Sequence, residues 1–441
     1  MDEVTTNSTL KNSGPHDDPE SGLKITVHRG SHQIGGCVTE YSCQGWHLFV
    51  DYGEELPGGP KSGDLKIEGL THGDLSKSAM LITHYHGDHI GRITELPEEL
   101  PIYMGKVGRE VQITFEDHMK RVGEVHQKML DRLETVNTFE AGKKFAFGPF
   151  TIMPITVDHS AFDAYAFKIT ANGVKVFHTG DFRTHGFRSG KFEKLITKFV
   201  GKVDYVVCEG TNVRRPDATN EKEQSLQSQL VADFKEHKNN IVYVSSTNID
   251  RLYALYHAAL RAGRPFYVDD YQERIMEVAQ KDPLWGKSGL YQYDKKYKPL
   301  VLQYGNDRGF RMNDNCKDFL EAKGCVLIAR PNDRFDGFIE RIPGEKQKYL
   351  SQWEGYLKEG TEAYNPNLAK SLGKNYLYRH TSGHCDMQSM RKLFSLLHPS
   401  EIIPIHTDSP DDFKKLFGHD WNIRLLNDGE SILATPEKSA E

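Results

Sequence analysis

The chain has 441 residues, 37% of them apolar and 27% charged, and a formal net charge of −6. Its length suits about three domains, or two with one split by an insertion, at roughly 150 residues each, and no stretch approaches the roughly 18 consecutive apolar residues of a membrane helix. The acidic balance excludes an overall basic surface for nucleic acid but leaves room for a local basic groove. Residues 1–22 are polar, lack the apolar core of a secretory signal and read as a disordered tail. Leu23–His28, Gly35–Tyr41 and His47–Asp51 follow as short strands of a β-sandwich layer, and Ala79–Thr83 as a buried strand. Residues 106–132 read as one helix, with apolar positions three and four apart. Strands return at Lys144–Phe147, Phe150–Val157, Ala164–Thr170, Val174–Thr179 and Tyr205–Cys208. After Glu209 the order becomes strand, helix, strand, helix: Asn240–Ser245, Asn248–Ala262, Pro265–Asp269 and Gln272–Gln280, then Cys316–Lys323 and Cys325–Arg330. This alternation implies a parallel sheet with crossover helices. Residues 376–435 go back to short strands and helices. The six cysteines form no C-x-x-C pair, so reduced thiols and a cytoplasmic location are expected.

Residues 83–92 read T-H-Y-H-G-D-H-I-G-R. His84, His86, Asp88 and His89 lie in a turn after a strand, where alternate side chains converge on one point. Imidazole and carboxylate without thiolate suit an open, catalytic site for zinc or a similar ion rather than a closed structural one. A single histidine here would read as a solvated loop residue; four potential ligands in H-x-H-x-D-H make chance a poor account.

This pattern resembles the metallo-β-lactamase superfamily, and the resemblance singles out residues that alone would read as structural. Asp51 in F-V-D-Y-G would orient a ligand histidine, His159 in V-D-H-S would be a further ligand, and Asp181 in H-T-G-D-F-R would bridge two metals. The remaining ligand is His406 in I-I-P-I-H-T-D, separated from Asp181 by the α/β unit. That arrangement resembles the β-CASP branch, with Glu209 in V-C-E-G-T-N and His384 in H-T-S-G-H-C-D as two of its extra motifs and His406 as the third. The implied fold is an αββα sandwich of residues 23–208 and 376–441, with an inserted α/β domain at 209–375. Within the branch the likeness is to the ribonuclease J family, over residues 23–435 by motif order. There the resemblance implies two zinc ions, with manganese as the alternative. His84, His86 and His159 would hold one ion, Asp88, His89 and His406 the other, with Asp181 between them. His384, oriented by Glu209, would act as a proton or hydrogen-bond donor beside Asp88, Asp181 and Asp51. Cys385-Asp386 stand where the family usually has Gly-Ser, in the loop that helps hold a 5′ phosphate. The separate C-terminal domain that family members often use to dimerise is absent from the 441 residues; a homodimer is one expectation for partners.

Two loops are candidate phosphate holders. Ser245, Ser246, Thr247 and Asn248 lie at a helix N-terminus, where backbone N–H groups bind anions; an ordinary N-cap is an equal account. His380, Ser382 and Gly383 form the second, on the strength of the resemblance. Arg183, Arg214, Arg215 and Arg251 could add charge, although a solvated surface arginine is the commoner finding. The resemblance implies a zinc-dependent phosphodiester hydrolase acting on single-stranded RNA, 5′-to-3′ exonucleolytic with endonuclease activity in some members, and no membrane association. A small-molecule hydrolase of this fold would lack the long insertion and His384. A scaffold subunit would have lost metal ligands, all seven of which are present. Transfer-RNA 3′-end processing normally comes without the insertion, and DNA stays an alternative substrate.

Overall fold

The computed structural model describes residues 22–59, 63, 65–217, 219–305 and 309–436; the tail expected over residues 1–22 lies, but for Gly22, outside them. Two sheets pack face to face. The first has seven strands, in the order Glu430–Ala434, Leu23–Arg29, Val38–Cys43, Trp46–Val50, Ser78–Leu81, Ile102–Gly105 and Asn137–Phe139. The second has six: Glu401–Ile405, Tyr205–Glu209, Val174–His178, Ala164–Ala171, Phe150–Val157 and Phe145–Phe147. Between them lie Ile25, Leu48, Phe150, Ile152, Phe167, Val176 and Val207. On the outer face of the second sheet, Met153, Ile155 and Val157 meet Met390, Leu393 and Phe394 of the helix Met387–Leu397. Alternate residues of Phe150–Val157 thus enter different cores, and for that reason the strand is mainly apolar on both faces. Helices cover both outer faces, giving the αββα sandwich that the resemblance implies.

A third sheet, wholly parallel, runs Leu300–Val301, Phe266–Val268, Cys325–Ala329, Asn239–Tyr243, Lys346–Leu350 and Tyr376–Tyr378. Its helices include Ile249–Ala262, capped by Asn248, and Asp270–Lys281, whose Asp269 and Gln272 form a reciprocal capping box. Among the described residues no helix is long and apolar enough to cross a membrane.

Three local expectations need correction. Residues 106–132 form two helices, Lys106–Met119 and Glu124–Thr135, parted at the extended Gly123. Glycine disfavours a helix interior by about 1 kcal/mol relative to alanine, and the second helix folds back until the Leu133 carbonyl accepts from Arg109 Nε at 2.8 Å. Gly35–Cys37 is loop rather than strand: Gly35 and Gly36 have positive φ, and the Gly36 N–H donates to the Asp88 carbonyl at 3.0 Å, so this stretch serves the histidine cluster. Tyr376–Tyr378, read with the return segment, hydrogen-bonds to Lys346–Leu350 of the parallel sheet instead.

Candidate metal centre

The predicted ligands arrive from the ends of four strands, Ser78–Leu81, Phe150–Val157, Val174–His178 and Glu401–Ile405, and converge. Donor atoms of His84, His86 and His159 lie within 4.8 Å of one another, as do those of Asp88, His89 and His406. His86 Nδ1 is 3.1 Å from His84 Nε2 and 3.2 Å from His159 Nε2. Imidazoles about 2.0–2.1 Å from one tetrahedral ion stand at a similar mutual spacing, about 3.3 Å. Asp181 Oδ2 sits between the triads, 3.9 Å from both His84 Nε2 and His159 Nε2, 3.2 Å from His89 Nε2 and 3.7 Å from His406 Nε2.

Four of the five rings are aimed by their other nitrogen. His89 Nδ1 bonds Asp51 Oδ2 at 2.8 Å, His406 Nδ1 meets Thr211 Oγ1 at 2.9 Å and His84 Nδ1 meets Thr83 Oγ1 at 3.0 Å. His159 Nδ1 donates to the Gly383 carbonyl at 2.6 Å, so this carbonyl, read from sequence as part of a phosphate loop, also directs a ligand. Thr83 and Thr211 escaped sequence reasoning, although each lies within two residues of a motif residue, and that adjacency is the signal that could have found them. Such outer contacts fix the ring and raise ligand basicity.

The electrostatics suit a cation. Burial, reinforced by the neighbouring imidazoles, pushes His84 well below its usual range, and burial brings His86 down to about 4, so both are neutral donors. Burial opposes charge on His89 too, but Asp181, Asp88 and Asp51 outweigh it and hold that imidazole well above its usual range. Asp181 Oδ1 is buried without a hydrogen-bond partner. Asp51, Asp88 and Asp181 around an imidazole cluster in which His84 and His86 are neutral, with a buried carboxylate oxygen unsatisfied, fit a divalent cation.

His384 Nδ1 bonds Glu209 Oε2 at 2.9 Å and lies 3.7 Å from Asp181 Oδ2. Burial alone would lower its pKa; the Glu209 and Asp181 charges overcome this and raise it to about 9. Asn212 Nδ2 donates to the Cys385 carbonyl at 2.9 Å and Asn220 Nδ2 to the His384 carbonyl at 3.0 Å, holding the loop that carries His384. Cys385 is buried, and Asp386 caps the following helix by accepting from Ser389 N at 2.9 Å and Ser389 Oγ at 2.7 Å.

Of the phosphate candidates, Asn248 Oδ1 accepts from Arg251 N at 3.1 Å as an N-cap, and Ser246 Oγ accepts from Gln272 Nε2 at 3.2 Å. Their loop touches the centre through Tyr85, whose hydroxyl donates to the Thr247 carbonyl at 2.8 Å. Ser382 Oγ accepts from His384 N at 3.1 Å, and His380 Nδ1 is buried without a partner. Arg183 and Arg251 are neither surface residues nor strand-binding cations: both are fully buried on Glu223, at 2.9 and 2.8 Å. Arg183 also pairs with Asp158 at 2.8 Å, beside His159, and donates to the Ser382 carbonyl at 3.3 Å.

Residues 74–232 match the family model described as a β-lactamase superfamily domain. Ribonuclease J of Sinorhizobium meliloti is 23% identical over 391 residues, covering 82% of this chain and 64% of that protein. Ribonuclease J of Helicobacter pylori is 21% identical over 455 residues, covering 95% and 61%. The Mycobacterium tuberculosis ribonuclease J is 25% identical over 283 residues, covering 59% and 47%. The chain thus spans about three fifths of the length of the first two relatives. A crystal structure of a protein of unknown function from Enterococcus faecalis superposes with a TM-score of 0.70 at 18% identity, over 94% of this chain and 100% of that one, and shares the fold. With its seven candidate ligands converging on two adjoining triads, the chain is similar over residues 74–232 to a β-lactamase superfamily domain and has ribonucleases J among its curated relatives.

Proposed function

We propose that the protein is a metal-dependent phosphodiester hydrolase of the β-CASP branch acting on single-stranded RNA, with ribonuclease J-like 5′-to-3′ exonuclease activity. The observation that carries this reading is the His384–Glu209 pair beside Asp181, because it adds a proton donor to a site that already holds two triads of metal ligands. His84, His86 and His159 would hold one zinc ion, Asp88, His89 and His406 the other, and Asp181 both. When bound, the two ions would supply Lewis-acid stabilisation of charge on the phosphoryl oxygens and acidify water. Asp51, Thr83, Thr211 and the Gly383 carbonyl hold the ligand rings in place. Glu209 takes Nδ1 of His384, which leaves Nε2 to face the substrate. From there it hydrogen-bonds a non-bridging oxygen or gives a proton to the leaving O3′ as water oxygen bonds to phosphorus and the P–O3′ bond breaks. The products are a 5′ phosphate and a 3′ hydroxyl.

The test is a set of strands of one sequence, 5′-monophosphate RNA, 5′-triphosphate RNA and single-stranded DNA, incubated with the protein and zinc or manganese. Mononucleotide release from monophosphate RNA alone is the expected result. Internal cuts on all strands would remove the exonuclease assignment, and no cleavage with either metal would remove the nuclease reading.

A further inference from the structure

Three of the large side chains left exposed lie together at one edge of the inserted unit. Trp353 is 52% exposed, Tyr378 40% and Tyr356 38%. The Trp353 and Tyr356 rings stand edge to face, 5.4 Å between centroids at 79°. The Tyr378 hydroxyl lies against the Glu354 backbone N–H, and the Tyr376 hydroxyl donates to Glu354 Oε1 at 3.1 Å. The Tyr378 ring is 6.0 Å from that of His380, whose loop leads to His384. On the other side, Tyr356 is near enough to the metal centre for the charge of Asp88, after burial itself, to raise its hydroxyl pKa.

The exposure does not come from a loose segment. Residues 351–365 cross as a strap pinned along its length. The Ser351 N–H donates to the Tyr243 carbonyl at 2.8 Å, the Asn365 N–H to the Tyr356 carbonyl at 2.8 Å, and Glu362 Oε2 accepts from the Gly58 N–H at 3.0 Å, across on a loop of the first sheet. Gly355 gives the indole its bed: a Cβ there would stand 2.2 Å from Trp353 Cζ2. A side chain held this way keeps an aromatic surface presented at little further entropic cost on binding.

The surroundings select the occupant. Charged Glu354, Lys358 and Glu359 interrupt the rings, which a wide apolar protein or lipid contact would not tolerate. Exposed Arg215 acts electrostatically on Tyr378, adding a cation beside the aromatic surface. Aromatic faces, an exposed arginine and a neighbouring phosphodiester site are the parts of a single-strand channel. We propose that Trp353, Tyr356 and Tyr378 form a stacking platform for a nucleobase of the strand whose phosphodiester lies in the metal centre. The identity of the ligand rests on the nuclease reading; the platform itself rests on the ring contacts and the hydrogen bonds of its strap.

The experiment measures kcat and KM on 5′-monophosphate RNA strands that are intact or carry one abasic residue, scanned along the strand. Trp353→Ala should raise KM by about 5- to 150-fold, the range for loss of one base stack, with kcat within about twofold, and Trp353→Phe should recover most of the loss. An abasic residue at the stacked position should weaken the wild type by a similar factor and leave Trp353→Ala indifferent. Unchanged KM in Trp353→Ala together with an intact abasic penalty overturns the platform while the nuclease reading stands. If the wild type cleaves no strand, fluorescence titration with the same strands in metal-free buffer decides. Tryptophan quenching that is present in the wild type and absent in Trp353→Ala supports the platform without the nuclease, and its absence from both proteins overturns it.

Discussion

Asp51 and His406 share a feature uncommon outside glycine: both end a strand in the left-handed region, with φ of 63° and 51°. Such conformations persist where surrounding contacts over-determine them. Asp51 accepts from Thr83 N and Thr83 Oγ1, both at 2.8 Å, while holding His89. Asp51→Asn keeps the shape but removes the charge that orients His89, so zinc affinity should fall about 10- to 100-fold in a chelator competition, with the circular dichroism spectrum unchanged. His384 holds no place in either triad. His384→Ala should therefore lower kcat by about 10²- to 10⁴-fold while metal content measured by atomic absorption stays at the wild-type value. A parallel loss of metal would move His384 into the ligand set.

Among elements, the turn between Val174–His178 and Asp181 shows how tightly the backbone is specified. Gly180 has φ of 52°, and a Cβ there would lie 2.8 Å from the Tyr165 carbonyl oxygen and 3.0 Å from Thr83 Cβ. Gly180→Ala adds the left-handed cost of about 1–2 kcal/mol to that overlap, and should lower unfolding free energy in urea by at least about 2 kcal/mol. The glycine of T-G-D was legible in the sequence as part of a motif; its close approach to Thr83, a residue far away in the chain, was not. The same division holds elsewhere. His84, His86, Asp88 and His89 are legible because a local turn suffices to gather them, and His406 because motif order points to it. Lys346–Leu350 escapes as a strand because K-Q-K is polar on an interior strand whose burial comes only from Tyr349 and Leu350. Residues 106–132 read as one helix because periodicity continues through Gly123, and only tertiary packing shows the chain doubling back.

At the scale of the molecule, a buried ionic cluster joins the sandwich to the parallel unit. Arg183 pairs with Asp158 and Glu223, Arg251 with Glu223, and Arg188 with Asp250 at 3.1 Å. Burial works against the Glu223 charge, but Arg251 and Arg183 prevail and bring its pKa from the usual 4.5 down to about 2. A depressed carboxylate contributes stability that is complete above its unfolded value and lost as pH falls towards the folded one. Here the window runs from about 4.5 to about 2 and the contribution is of the order of 3 kcal/mol. Glu223→Gln takes the carboxylate from buried Arg251 and leaves Arg183 with Asp158, and should cost about 3–5 kcal/mol at pH 7. The deficit should shrink below pH 4.5 in acid-unfolding curves, and a constant deficit from pH 7 to pH 2 would count against the pairing.

The pairing of Tyr205–Glu209 with Glu401–Ile405 also has a bearing on how the protein is made. A growing chain that has released Asp181 and Glu209 still lacks His384, His406 and the strand that closes this sheet. At about 5–20 residues per second, the ribosome needs roughly 10–40 s to supply them. During that interval the edge of Tyr205–Glu209 stays open to wrong partners. For the same interval the second triad lacks its last candidate ligand, so a nascent chain cannot yet assemble both triads.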